Sequence, residues 1–305
     1  MSVEISIIIT SFKEPKTIKR AVSAILEKGY SGLGINFELI TVIPDRPTAT
    51  AALSTVKKYR FKSHVHIEDP GKGKPHALNL AFKRARGRYI VLTDGDVYLD
   101  KNAVPELVKS LQDKQMGGVS GRQISIDNRK TMFGFYSHLF NKALDLNRIR
   151  AANDNTFYPM SGYIMAVKRE LIDFELPDEV LVDDGYISYM IALKGFKIAY
   201  NPDAVAYVSY PKNFNDYFKQ KVRSTGGYLQ LKQYDIFKNQ HNDRGPRGDI
   251  GMFLFPLQFA KTVKEYYWAL LLYPIRIYLW FQIFVLNYIS PHRYNTTWKR
   301  VESSK

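Results

Sequence analysis

Short apolar, β-branched runs alternate with longer amphipathic stretches along the first hundred residues. Residues 5–10 (ISIIIT), 37–43 (FELITVI), 63–67 (SHVHI) and 89–93 (YIVLT) read as strands, and 15–28, 48–60 and 75–86 between them read as helices. Apolar runs of strand length separated by helix-length segments predict βαβ units: α/β, with a mostly parallel sheet and helices on both faces. Such sheets bind ligands beyond the carboxyl ends of their strands. Further along, residues 117–123 read as a strand and its exit, and 163–171 as a strand running into a helix. Residues 183–196 read as a helix stopped near Gly195, and 197–209 as two short strands about a turn. Residues 132–149 (MFGFYSHLFNKALDLNRI) carry bulky apolar groups around much of a helix, which suits a core helix or one laid against lipid.

The pattern changes after about residue 234. Residues 234–251 form a polar, Gly- and Pro-punctuated loop, and 252–290 are strongly apolar. From Tyr266 to Ser290, 20 of 25 residues are apolar or aromatic, close to the roughly 20 that a membrane crossing needs. Tyr266, Tyr267 and Trp268 at one end and Tyr288 at the other resemble an aromatic belt. Pro274 and Arg276 oppose a straight crossing, an intramembrane Arg costing about 2.5–3.5 kcal/mol. Basic residues flank both ends: Lys261 and Lys264 before, Arg293, Lys299 and Arg300 after. Basic residues on both flanks keep both ends cytoplasmic and favour a hairpin broken near Pro274, or an interfacial helix, over one crossing. A buried terminal helix is the alternative. The expected organisation is a domain over 1–233, the loop 234–251, membrane-associated or transmembrane helices over 252–292 and a basic tail over 293–305. The start of the chain lacks a basic n-region and a small-residue cleavage site, so it reads as a strand and not as a signal peptide.

Charge and composition narrow the partners. The 305 residues include no Cys, which excludes disulfides and thiolate metal sites. The formal net charge is +15, and +9 of it lies in residues 211–305. Such a balance suits nucleic acid, an anionic membrane or phosphate-bearing substrates. The run FKRARGR (82–88) fits nucleic acid, but no zinc-finger spacing, RNA-recognition aromatic motif or basic zipper accompanies it. A terminal apolar segment also has no role in that setting.

Four segments bear chemistry. LTDGDVYLD (92–100) sets Asp94 and Asp96 one residue apart after a strand, where two carboxylates suit one hard cation that also takes phosphate oxygens. GKGKPHALN (71–79) places Lys74 at a helix start after a Gly-rich lead-in, an anion site in form. Asp183 and Asp184 open a helix; they suit N-capping, or one of them suits a general base at a pocket edge. In FKQKVRSTGGY (218–228), Arg223 is placed to grip a phosphate oxygen or to sit on a solvated face.

In this order the segments resemble the family 2 glycosyltransferases, and among them the cellulose-synthase-like membrane enzymes, over roughly residues 3–290. The resemblance extends to archaeal membrane mannosyltransferases of lipid-linked glycan assembly. It implies a GT-A type nucleotide-sugar-binding sandwich followed by a short C-terminal helical membrane segment. Thr10 and Glu14, around TSFKEP, would hold the nucleotide, and Asp45 its base or ribose. Lys74, in KPHALN, would lie near the diphosphate. Asp94 and Asp96 would hold Mn²⁺ or Mg²⁺, with Asp94 also on the donor side. Ser161 and Gly162, in SGYIMAVKREL, would face the acceptor together with Asp183, and Asp184 would be the base. Gln220 and Arg223, in QKVRS, would face the donor. Ser224 stands where the family carries a tryptophan that forms a platform for a growing sugar chain, which argues against processive polymer synthesis. The expected activity is metal-dependent, inverting transfer of a hexose from GDP-mannose first, UDP-glucose next, to a lipid-linked acceptor. The expected setting is the cell membrane, with the catalytic domain on the cytoplasmic side, membrane lipids as partners and no nucleic acid.

Overall fold

The computed structural model describes residues 3–27, 36–237 and 252–285. Most of the polar loop (238–251), the end of the apolar segment (286–292) and the basic tail (293–305) therefore lie outside the described residues. The expected strands form: β1 (Ile5–Thr10), β2 (Phe37–Ile43), β3 (His64–Glu68) and β4 (Tyr89–Asp94). The helices between them are α1 (Thr17–Leu26), α2 (Arg46–Lys58) and α3 (Lys74–Arg84). Every residue of β1 and β2 is buried, because both faces are covered, whereas β3 is half-exposed at the sheet edge. Ile7, Ile9 and Leu39 pack on one face with Ile18, Val22 and Val56; Ile8, Ile40 and Val42 pack on the other with Leu78 and Ala81.

One buried charge interrupts this apolar pattern. Glu38, fully buried in β2, accepts hydrogen bonds from Ser6 Oγ at 2.7 Å and from Arg86 N, Nε and Nη2 at 2.7, 2.9 and 2.7 Å. Burial alone would push its carboxyl up; the Ser6 and Arg86 donors outweigh that and hold it below the usual range.

The second half of the sheet departs from the mostly parallel expectation. It is built from β5 (Tyr98–Leu99), β6 (Met116–Ser125), β7 (Met165–Lys168) and β8 (Lys197–Val208). The strand order is β3-β2-β1-β4-β7-β6-β8-β5. The first four strands are parallel, β7 runs antiparallel to both β4 and β6, β6 and β8 are parallel, and β5 is antiparallel to β8. The expected pair of short strands over 197–209 is one long strand instead. A register shift between Gly121 and Arg122, opposite Asn201–Val205, absorbs the Asn201-Pro202 dipeptide as an irregularity and not as a turn.

The remaining helices are α4 (Ala103–Leu111), α5 (Met132–Asn153), α6 (Asp183–Leu193), α7 (Phe214–Leu231), α8 (Phe255–Phe259) and α9 (Val263–Phe284). Phe135, Tyr136 and Leu139 of α5 form a third cluster with Trp268, Ala269 and Leu272 of α9, so α5 is a core helix along this face. Arg129 anchors the start of α9, pairing with Glu265 at 2.7 Å (Nε) and 3.2 Å (Nη2) and donating to Phe259 O at 3.0 Å. α9 thus packs on the body, and among the described residues no helix is long and apolar enough to cross a membrane. The transmembrane expectation for 252–292 finds no support there: Glu265, Pro274, Arg276 and Gln282 break the apolar run.

Candidate active site

The chain runs β1-β2-β3 to one side of β1, then returns to lay β4 on the other. That reversal opens a crevice at the carboxyl ends of β1 and β4. Thr10 and Asp94, the last residues of these strands, are register partners, and Thr10 Oγ1 donates to Asp94 Oδ1 at 3.1 Å. Gly95 follows where the chain passes close to the β1–α1 loop: its N–H donates to Thr10 O at 3.0 Å, and a Cβ would collide with Ser11 Oγ and Glu14 Oε2. Only glycine permits that approach, so the Asp-Gly-Asp turn is held against TSFKEP.

Lys74 opens α3 and reaches into the crevice. Its Nζ lies 2.8 Å from Asp94 Oδ1 and 3.4 Å from Asp183 Oδ2. Burial would by itself push the ammonium down; Asp183 and Asp94, with Asp184 behind them, outweigh it and hold Lys74 charged, well above its ordinary range. Asp96 experiences the reverse. Burial, then the neighbouring Asp94 charge, push its carboxyl well up, against the pull of Lys74 and Arg223.

Asp183 and Asp184 do not cap α6. The N-cap is Val182, with no side-chain cap bond. Asp183 instead pairs with Lys74, and Asp184 accepts from Gly162 N at 2.9 Å (Oδ2) and from Gly185 N at 2.8 Å (Oδ1). The Gly162 bond ties the acid to the SGY segment, where Ser161 is buried and bonded to Gln123. The close approach of α6 and α7 completes the wall: a Cβ on Gly227 of α7 would sit 2.7 Å from Val182 Cγ1. Gln220 Nε2 donates to Tyr163 Oη at 3.2 Å. Burial, first, and nearby Tyr210, Asp96 and Asp94 push the Tyr163 phenol well up, so it stays protonated.

Lys74, Asp94, Ser161, Gly162, Asp183, Asp184, Gln220 and Arg223 thus line one cavity of about 580 Å³. Thr10 and Glu14 stand beside its acidic end, supporting Asp94 and Gly95. Asp45 lies off it and caps α2, accepting from Thr48 N at 3.1 Å and Thr48 Oγ1 at 2.7 Å, and from Lys13 N at 2.6 Å. The cavity also takes in Gln123, Tyr163, Tyr210, Lys221, Arg276 and Trp280, which the motifs did not single out as site residues. Tyr163, inside SGYIMA, was within reach of sequence reading; Arg276 and Trp280 were not, being about fifty residues beyond the last motif.

Among the described residues no group of three or more His, Cys, Asp or Glu side chains gathers as a complete metal cage. The donor set still suits a divalent ion. Asp94 and Asp96 offer two hard carboxylate oxygen donors, the Asp94 charge opposing ionisation of Asp96, and Mg²⁺ or Mn²⁺ habitually takes its other ligands from substrate phosphate and water.

A curled mixed α/β sheet with a carboxylate pair at the switch between β1 and β4 defines the class: the GT-A-like fold that receives nucleotide sugars. The sequence model "Glycosyltransferase like family 2" matches residues 3–227, and the chain belongs to that family. It is 24% identical over 284 residues to poly-β-1,6-N-acetyl-D-glucosamine synthase of Staphylococcus aureus, covering 90% of this chain and 64% of that protein. It thus spans under two thirds of that relative's length. It is 23% identical over 239 residues to the probable glycosyltransferase YdaM of Bacillus subtilis, covering 75% of this chain and 56% of that one. Among solved structures it resembles the mannosyltransferase PcManGT from Pyrobaculum calidifontis in complex with GDP-Man and Mn²⁺, at TM-score 0.64 and 22% identity over 96% of this chain and 83% of the other. It also resembles S. aureus TarS 1–349 in complex with UDP-GlcNAc, at TM-score 0.51 and 14% identity over 84% and 82%. At these identities the structures speak for the fold.

Proposed function

We propose that this glycosyltransferase moves a hexose, mannose from GDP-mannose, to a lipid-linked acceptor at a membrane surface, with inversion at the anomeric carbon. The observation that carries the reading is the cavity in which Lys74, Asp94 and Arg223 adjoin Asp184. Asp184, held by two backbone N–H groups, takes the proton of the acceptor hydroxyl. That oxygen forms its bond to the anomeric carbon from the face opposite the donor diphosphate. The bond from carbon to phosphate oxygen breaks, and its electron pair leaves with the nucleoside diphosphate. Lys74 and Arg223 favour the charge that builds there. Asp94 and Asp96 are the residues that would hold Mn²⁺ or Mg²⁺, which when bound supplies further positive charge to the leaving group.

UDP-GlcNAc is the competing donor, favoured by the name of the sequence relatives. UDP-glucose stands third. Incubating the protein with radiolabelled GDP-mannose, UDP-GlcNAc and UDP-glucose, Mn²⁺ and a polyprenyl-diphosphate-linked glycan decides among them. GDP-mannose is expected to label the lipid fraction at least tenfold above the others; preferential labelling from UDP-GlcNAc overturns the mannose assignment.

Attachment to the cytoplasmic face of the cell membrane is part of the same proposal. α9 buries Trp268, Ala269, Leu272, Leu279 and Ile283 and turns Val263, Tyr267, Leu270, Ile277, Phe281 and Phe284 outward, each more than half exposed. Those outward residues stand three, four or seven positions apart, one stripe of a helix. With basic flanks, such a stripe suits an interfacial seat on anionic lipid. Leu270→Glu combined with Phe281→Glu is expected to release the protein from vesicles containing phosphatidylserine in a flotation assay. Full retention of the double variant would remove α9 as the anchor.

A further inference from the structure

Arg276 reads in the sequence only as a cost to membrane insertion, and Ser224 only as a missing tryptophan. The structure brings the two positions to one cavity. Ser224 lines it from α7, and Arg276 and Trp280 line it from α9. The two helices are in contact there, with the Phe218 and Tyr278 rings edge to face at 5.2 Å between centroids. Arg276 and Trp280 are four residues apart and so share a helix face, with the guanidinium carbon 5.9 Å from the Trp280 ring centroid. Lys221 lines the same cavity, its Nζ 4.5 Å from the Phe140 ring. The wall between is apolar, and Ile277 belongs both to that wall and to the outward stripe of α9, at 71% exposure. One cavity therefore takes in the acidic Asp94, Asp183 and Asp184 together with the cationic and aromatic Lys221, Arg276 and Trp280, and Ile277 carries its apolar wall to the face with the exposed stripe.

We propose that Arg276 and Trp280 form the acceptor subsite. Trp280 stacks on a sugar ring of the acceptor and so supplies, from a different helix, the aromatic surface that Ser224 lacks. Arg276, with Lys221, binds the phosphate of the carrier, because a guanidinium fork matches two phosphate oxygens. The isoprenoid chain leaves along the apolar wall past Ile277. The ligand class is thus an isoprenoid phosphate or diphosphate glycoside, and both residues are specificity determinants, not catalytic groups. This rests on the lipid-linked acceptor of the proposed function.

The test uses the full chain in detergent, with two synthetic acceptors carrying the same sugar: its farnesyl diphosphate glycoside and its octyl glycoside, which lacks phosphate. Trp280→Ala is expected to raise KM for both acceptors about tenfold or more, while donor binding by calorimetry stays within twofold; Trp280→Phe recovers most of the loss. Arg276→Ala is expected to raise KM for the diphosphate acceptor alone, with Arg276→Lys partway back. The Trp280→Phe and Arg276→Lys variants also control for folding. Wild-type transfer accompanied by unchanged acceptor KM in both alanine variants overturns the subsite alone. An equal rise for both acceptors in Arg276→Ala overturns the phosphate assignment. Transfer to neither acceptor by the wild type overturns the lipid-acceptor reading, and the subsite with it.

Discussion

Asp184→Asn is expected to fold normally, bind the donor nearly as tightly as the wild type, and transfer sugar at least about two orders of magnitude more slowly. Asparagine keeps the shape, and its Oδ1 still accepts the Gly162 N–H that positions the side chain. What it loses is the capacity to take a proton, together with the acceptor for the Gly185 N–H. Asp183→Asn provides the contrast. Asp183 is tied to Lys74 and not to the Gly162 amide, so its substitution should alter the charge around the diphosphate and appear mainly in donor KM. Donor binding by calorimetry beside the single-turnover rate separates the two. A near-wild-type rate for Asp184→Asn, or a defect confined to donor binding, would place the base elsewhere.

Removal of the divalent ion is expected to have an effect of similar size. A metal ion offsets several kcal/mol of charge on a leaving phosphate, so EDTA should reduce transfer by about 10²–10³-fold, with Mn²⁺ or Mg²⁺ restoring it. Asp96→Ala should abolish the rescue and weaken donor binding. Asp96 is the more exacting probe because Lys74 already pairs with Asp94, whereas burial and the Asp94 charge press the Asp96 carboxyl upward, which a divalent ion would offset. Full transfer in EDTA would sink the metal assignment for this chain.

The parts of the fold legible in the sequence were those whose signal is local. β1, β2 and β4 are mainly apolar runs covered from both sides, with Asp94 at the end of β4 part-exposed, and nothing else accommodates such runs between amphipathic helices. Asp94 and Asp96 were legible for the same reason: a strand that ends in Asp-Gly-Asp must deliver both acids to the sheet edge. The acceptor half was less open. β5 has two residues, too few for any period, and exists because Tyr98 and Leu99 pair with Tyr207 and Ala206. β7 shows its strand character in MAVK, but no residue in it announces that it runs antiparallel between β4 and β6. Asp45 carries a local role that the motif match did not give: the resemblance placed it at the nucleotide base or ribose, and the structure makes it the N-cap of α2.

The amino-acid order by itself determined the βαβ half, the family, and the place of Lys74 and Asp94 at one edge, because short-range patterning and strand ends dictate these. Only the tertiary structure decided that Asp183 pairs with Lys74, that Gly162 positions Asp184, and that Arg276 and Trp280 enter the same cavity. Those contacts join residues far apart in the chain. They depend on how α6, α7 and α9 pack, through Gly227 against Val182 and the Arg129–Glu265 ion pair, and long-range contacts of that kind have no period along the sequence from which to read them.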